Sequence, residues 1–223
     1  MHPLQLAWLG DCAVLCPQGS ADVARDLGDE LLDRWSEPAR AYHCTTHLTE
    51  VLAALTELTS AGLLRGLDVS LARMAAWFHD AVYDPRAGAG ANEAASAALA
   101  RHTLGRLNAA PHHVERVVDL VEMTVDHDPQ GIDPVTDAFH DADLWILASP
   151  PARYDEYTLQ IRAEYAQVSA LEFARGRRAV LATFLARDPI YRTPHAQAAW
   201  DPQARVNLAR SVAVLSEIVG VRG

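Results

Sequence analysis

Leucine, alanine and valine recur at intervals of three and four residues along almost the whole chain, while alternating apolar and polar runs rich in β-branched residues are scarce. That spacing lays an apolar stripe along a helix, whereas a half-buried strand needs a period of two. The chain is therefore expected to be all-α. The periodicity predicts helices over residues 4–16, 20–35, 44–61, 69–81, 91–107, 111–126, 134–147, 151–174, 177–186 and 202–219. Glu37-Pro38, Asp84-Pro85 with the glycine-rich Arg86 to Gly90, Asp128-Pro129-Gln130-Gly131, Ser149-Pro150-Pro151 and Asp188-Pro189 separate them. A residue before proline is pushed out of the helical region, so each of these dipeptides disfavours continuation.

No internal repeat, low-complexity tract or long linker divides the 223 residues, which read as one domain, 1–223. The formal net charge of -10 opposes non-specific capture of nucleic acid, which depends on clustered basic side chains. An anionic substrate would need local positive charge, from metal ions or individual arginines. Every apolar run is interrupted by Asp, Glu, Arg or His before it could span a bilayer, so no membrane segment is expected. Met1 to Pro17 lacks the basic start and apolar run of a secretory signal, and Cys12, Cys16 and Cys44 are an odd number, so a reducing cytoplasm is the expected location. Cys12 and Cys16, four apart on one helix, are read as buried packing residues rather than a metal pair.

Three clusters carry the candidate chemistry. In Ala76-Trp77-Phe78-His79-Asp80-Ala81-Val82-Tyr83-Asp84-Pro85, two metal-ligand types adjoin at the end of an apolar helix, where both can turn toward one ion. Upstream, Tyr42-His43-Cys44-Thr45-Thr46-His47 sets two histidines four apart, on one face if helical, so that one can bind metal and the other face substrate. Downstream, His140-Asp141-Ala142-Asp143-Leu144 starts another apolar helix and offers a carboxylate to close the coordination sphere. Mixed imidazole and carboxylate donors suit Mn, Fe, Co, Ni, Zn or Mg better than a thiolate-bound structural zinc.

With its ordered H…HD…D residues, the sequence resembles the HD superfamily of metal-dependent phosphohydrolases, in particular a bacterial group of predicted HD phosphohydrolases. The resemblance also rests on Glu37-Pro38 with Arg40 and Tyr42-His43, Asn92-Glu93 with Ser96, Ile161-Arg162 with Glu164-Tyr165, Gly176-Arg177, and Ile190-Tyr191 with Thr193. It implies an HD-type helical bundle with additional C-terminal helices. It further implies metal ligation by His47, His79, Asp80 and Asp143, with Asp141 as the competing last ligand, and cleavage of a phosphoester or phosphoanhydride by metal-activated water. The substrate would be a small phosphorylated metabolite such as a nucleotide, and one ion is expected rather than two. The Tyr-His-x-x-x-His cluster is similar to that of cyclic-nucleotide phosphodiesterases, which makes His43 the candidate general acid, a role suited to an imidazole. Members of the family usually carry Asn where Cys44 stands. By similarity to related nucleotidases, Glu93 would orient the attacking water.

Arg40 lies three residues before His43 and is expected to engage a phosphate, with Arg162, Tyr165 and His127 as further substrate contacts. Each has a plainer explanation. Glu93 favours a helix N-terminal turn, His127 a helix end, and Arg162 surface ion pairing. His112-His113 follow Pro111 and read as solvated, and the five tryptophans read as packing anchors. Two other functions stay open: an HD-type di-iron oxygenase, for which His127 is the one convincing extra ligand, and a non-catalytic metal-binding regulator. Amphipathic stretches such as 151–174 can pack within one chain or between chains, which leaves a homo-oligomer open.

Overall fold

In a computed structural model that describes residues 2–128 and 133–220, every regular element is helical and none of the described residues forms a strand. The packing divides the chain into two compact units, Met1–Asp143 and Leu144–Gly223, a boundary that the single-domain reading did not include. The first unit contains α1 (Pro3–Leu15), α2 (Ala21–Trp35), α3 (Thr45–Ser60), α4 (Leu67–Phe78), α5 (Ala91–Arg106), α6 (Pro111–Glu122) with a following 3-10 turn Met123–Val125, and α7 (Pro134–Asp143). No helix is long and apolar enough to cross a membrane among the described residues.

Helix α4 is the core of this unit and packs against α1, α3, α5, α6 and α7. Its sequence explains why. From Met74 to Phe78 five consecutive residues are fully buried, and a helix that is apolar on every side has to be surrounded. Alanines at 72, 75 and 76 let neighbouring helices approach closely. Tryptophans then fix their positions: Trp8 donates from Nε1 to the Ala24 carbonyl at 2.7 Å, Trp35 to the Trp77 carbonyl at 3.0 Å, and Trp77 to Asp11 Oδ2 at 3.1 Å. Asp11 also accepts from Arg73 Nε at 2.6 Å, so α1 is tied to α4 through a carboxylate with two donors. Trp8, Trp35 and Trp77 are fully buried, in keeping with their reading as anchors. Cys12 and Cys16 are also buried free thiols, and burial pushes the Cys16 thiol up to about 11 and Cys12 higher still.

The second unit opens with a 3-10 turn, Leu144–Ala148, followed by α8 (Pro151–Glu164), α9 (Ala170–Leu185), α10 (Pro194–Ala199) and α11 (Asp201–Val219). Two sequence expectations are corrected here. The predicted helix 151–174 stops at Glu164, and the segment expected as 177–186 belongs to a longer helix that begins at Ala170. The cause is local: Ser169 caps α9, accepting from the Glu172 amide at 3.3 Å and donating to the Glu172 carboxylate at 2.6 Å. Arg162 holds the break open by donating to the carbonyls of Tyr165 and Val168 at 2.6 and 3.0 Å. Gly176 lies inside α9 without interrupting it. The short helix α10 was not anticipated; Thr193 caps it, with Pro194 at its first position.

Candidate metal centre

Three helix ends build the site. His47 lies in the first turn of α3, His79 and Asp80 follow directly on α4, and Asp143 is the last residue of α7. The His140 to Asp143 cluster thus closes a helix rather than starting one. Asp133 sets that register: its carboxylate accepts from the Thr136 amide at 3.0 Å, and Pro134 takes the first helical position. His43 also departs from expectation, since it precedes α3 in a turn instead of sharing a helical face with His47.

Three ligand atoms converge, and a fourth lies against two of them. Nε2 of His47 and Nε2 of His79 lie 3.1 Å apart, and Asp143 Oδ1 sits 3.3 Å from the first and 3.2 Å from the second. Asp80 Oδ2 lies 3.1 Å from His79 Nε2 and 3.6 Å from His47 Nε2. Ligand atoms of His47, His79 and Asp80 all fall within 4.8 Å of one another. Donors about 2.1 Å from a common ion and 90 to 110° apart are separated by roughly 3.0 to 3.4 Å. The separations among His47, His79 and Asp80 are near the edges of such a polyhedron, so these three could share a divalent ion, while Asp143 stands against the two imidazoles and outside that mutually close group.

The electrostatics point the same way. Burial opposes charge on His79 and His47, yet Asp80 and Asp143 outweigh it and hold His79 well above, and His47 above, the usual imidazole range. Burial likewise opposes the two carboxylates, but the facing histidines hold Asp80 and Asp143 well below the ordinary carboxylate range. The cluster therefore attracts positive charge, as protons or as a metal cation. His79 Nδ1 lies 2.9 Å from the Ala76 carbonyl, the partner to which an Nδ1–H would donate. That bond leaves the Nε2 lone pair facing the cluster, as in outer-shell contacts of metal-bound histidines. The rings of Trp35 and Phe139 pack 5.6 and 5.8 Å from His79 and exclude water from one side. Asp80, with 19% of its side chain exposed, marks the open side.

Arg40 has a different position from the one its sequence suggested. Its side chain is 1% exposed and donates to Glu37 Oε2 (3.0 Å) and to the carbonyls of His43 (3.1 Å), Asp80 (2.6 Å) and Ala81 (3.1 Å). The guanidinium lies 5.7 Å from both the Trp35 and Tyr83 rings. It clamps the His43 turn to the Asp80–Ala81 turn rather than facing a ligand. His43 is half-buried and stacks on Tyr83 with ring centroids 4.1 Å apart, 6.0 Å from the His47 ring. Tyr83 was not assigned a role from the sequence, although it belongs to the His79 to Pro85 block.

Asp141 and Asp143 part company. Two residues apart on a helix, their side chains diverge by about 200°. Asp141 is fully buried with Oδ1 2.8 Å from His140 Nδ1, whereas Asp143 reaches the two imidazoles. His127 lies beside the cluster, Nδ1 at 3.8 Å from Asp143 Oδ2 and its ring 6.2 Å from that of His140. Its backbone is left-handed, φ 49°, a conformation uncommon outside glycine that histidine adopts more readily than most residues. Burial pushes this imidazole down to about 4, so it is neutral near pH 7.

Glu93 is half-buried in the first turn of α5. Its neighbours are the structural residues: Asn92 bridges both the amide and the carbonyl of Asp84 at 3.1 and 3.0 Å, and Ser96 Oγ meets the amide and carbonyl of Val82 at 3.1 and 3.3 Å. Four apart, they share one helix face and hold the segment that follows His79-Asp80. Arg162 and Tyr165 belong to the second unit, where Arg162 lies 4.9 Å from the Phe173 ring and the Tyr165 ring 6.1 Å from it. No protein-family model, curated protein or solved structure matches the chain.

Proposed function

We propose that the protein is a metal-dependent phosphohydrolase of the HD type, cleaving a phosphoester or phosphoanhydride of a small metabolite such as a nucleotide. The observation that carries this reading is the convergence of His47, His79 and Asp80, with the Asp143 carboxylate set against both imidazoles. These residues would hold a divalent ion, which would supply Lewis acidity toward a phosphoryl oxygen and toward the attacking water. The Ala76 carbonyl orients His79, and the Arg40 clamp holds the turn that carries Asp80. His43, stacked on Tyr83 and near enough to Asp80 to lower its pKa, is the proposed proton donor to the leaving oxygen. Glu93 is the proposed carboxylate for orienting water.

The test combines elemental analysis with phosphate release from nucleotides and generic phosphoesters in added Mn, Co, Ni or Mg. Stoichiometric metal with metal-dependent release supports the hydrolase. His43→Ala should retain metal and lose turnover, whereas Asp80→Ala should lose both; equal metal loss in the two variants defeats the general-acid assignment. His127 beside Asp143 Oδ2 favours one second reading, a two-metal oxygenase. Two iron equivalents with oxygen consumption and no phosphate release would select it. Bound metal with neither activity would leave the regulatory role.

A further inference from the structure

The second unit contains a groove of its own. Side chains of α8, α9 and α11 line a half-open groove of about 440 Å³, within the roughly 300 to 1,000 Å³ of small-molecule sites. Its apolar lining includes Phe173, Leu181, Val214, Leu215 and Ile218. Helix α11 has no buried residue beyond Leu208, although Val212, Val214, Leu215, Ile218 and Val219 are all apolar. Val214 and Ile218 are 53% and 52% exposed, so an aliphatic surface faces solvent at the groove.

The polar part of the lining is cationic. Arg162, Arg177 and Arg210 come from three different helices, with Asp155 the one carboxylate among the groove residues. Asp155 pairs with Arg210 at 2.6 Å, and Arg177 hydrogen-bonds the Tyr157 hydroxyl. Arg162 is set differently: it donates to two main-chain carbonyls, lies 4.9 Å from the Phe173 ring, and has no carboxylate partner among the described residues. Its positive charge is fixed in place before any ligand arrives. The surroundings agree, since residues 144–223 hold 10 of the 19 basic residues but only 7 of the 29 acidic ones.

We infer that this groove binds a small amphipathic anion, a medium-chain fatty carboxylate, with its head group at Arg162 and its chain along Phe173, Val214, Leu215 and Ile218. The apolar lining contributes affinity in proportion to chain length, and the arginine selects the anion over a neutral alcohol.

Calorimetric titration of the full chain with octanoate, decanoate and decan-1-ol, below the micelle concentration, tests it. Decanoate should bind one per chain, roughly tenfold more tightly than octanoate for its two additional methylenes. Decanol should bind at least tenfold more weakly than decanoate. Val214→Asp, at an exposed position that leaves folding intact, should abolish binding. Arg162→Gln should weaken decanoate but not decanol, and Arg162→Lys should restore the preference for the anion. Absence of decanoate binding, equal affinity for decanol, or insensitivity to Val214→Asp overturns the inference. So does a dimer in sedimentation that Val214→Asp converts to monomer, because a second copy would then occupy the groove.

Discussion

Replacing Arg40 by Met keeps the apolar stem of the side chain and removes all its donors. The three carbonyls of His43, Asp80 and Ala81 then lose a buried charged partner. Leaving a buried acceptor unsatisfied costs about 1 to 3 kcal/mol, so three would cost about 3 to 9 kcal/mol with no relaxation. Water can enter from the Asp80 side, which is 19% exposed, and the expected loss is therefore about 3 to 5 kcal/mol. Against a total stability of roughly 5 to 15 kcal/mol, the variant should still fold at low temperature. Arg40→Lys should recover less than half the loss, because one ammonium cannot reproduce the fork that spans two turns. Glu37, the remaining partner, has 46% of its side chain exposed, so Glu37→Gln should cost less than about 1 kcal/mol. Urea unfolding in chelator measures these differences with no metal contribution. Titration of folded Arg40→Met with Mn²⁺ should show affinity reduced about 10- to 100-fold, as for other groups that orient metal ligands. A stability loss below about 1 kcal/mol would refute the clamp.

Asp143→Asn should weaken divalent-metal binding much more than Asp141→Asn, because only Asp143 reaches the two imidazoles; equal losses by calorimetry would reject this ligand set. Cys44 occupies the N-cap of α3 without a side-chain capping bond, so Cys44→Asn should stabilise the fold by about 1 kcal/mol in urea unfolding. A Cβ on Gly28 would lie 2.5 Å from Trp8 Cδ1, and Trp8 is fully buried and hydrogen-bonded to Ala24. Gly28→Ala should therefore destabilise by about 1 to 2 kcal/mol despite its better helix propensity, whereas Gly176→Ala, with nothing within 4 Å, should stabilise by about 0.5 to 1 kcal/mol; thermal unfolding of both checks the contrast.

The helices of the first unit were legible in the sequence, because period and punctuation agree there: α2, α3 and α5 lie within about a residue of their expected limits. The second unit was less legible, because apolar spacing runs on through 165–169 and masked the stop. Ser169-Ala170-Leu171-Glu172 was the available signal, a capping box inside what read as a continuous helix. At the site, the adjacency of His79 and Asp80 at a helix end could be read directly, since chain connectivity alone brings them together.

What the sequence determined by itself was the all-α class, the identity of the ligand-type residues and their order along the chain, all consequences of local periodicity and side-chain chemistry. Tertiary structure decided which of them meet. Helix α7 packs on α3 and α4, and that docking turns Asp143 toward His47 and His79 and leaves Asp141 with His140. The meeting of the His43 turn with the Asp80–Ala81 turn encloses Arg40, whose donors could as well have faced a phosphate. A one-dimensional pattern fixes which residues share a helix face; the direction that face takes is set only when its apolar side is buried against other helices.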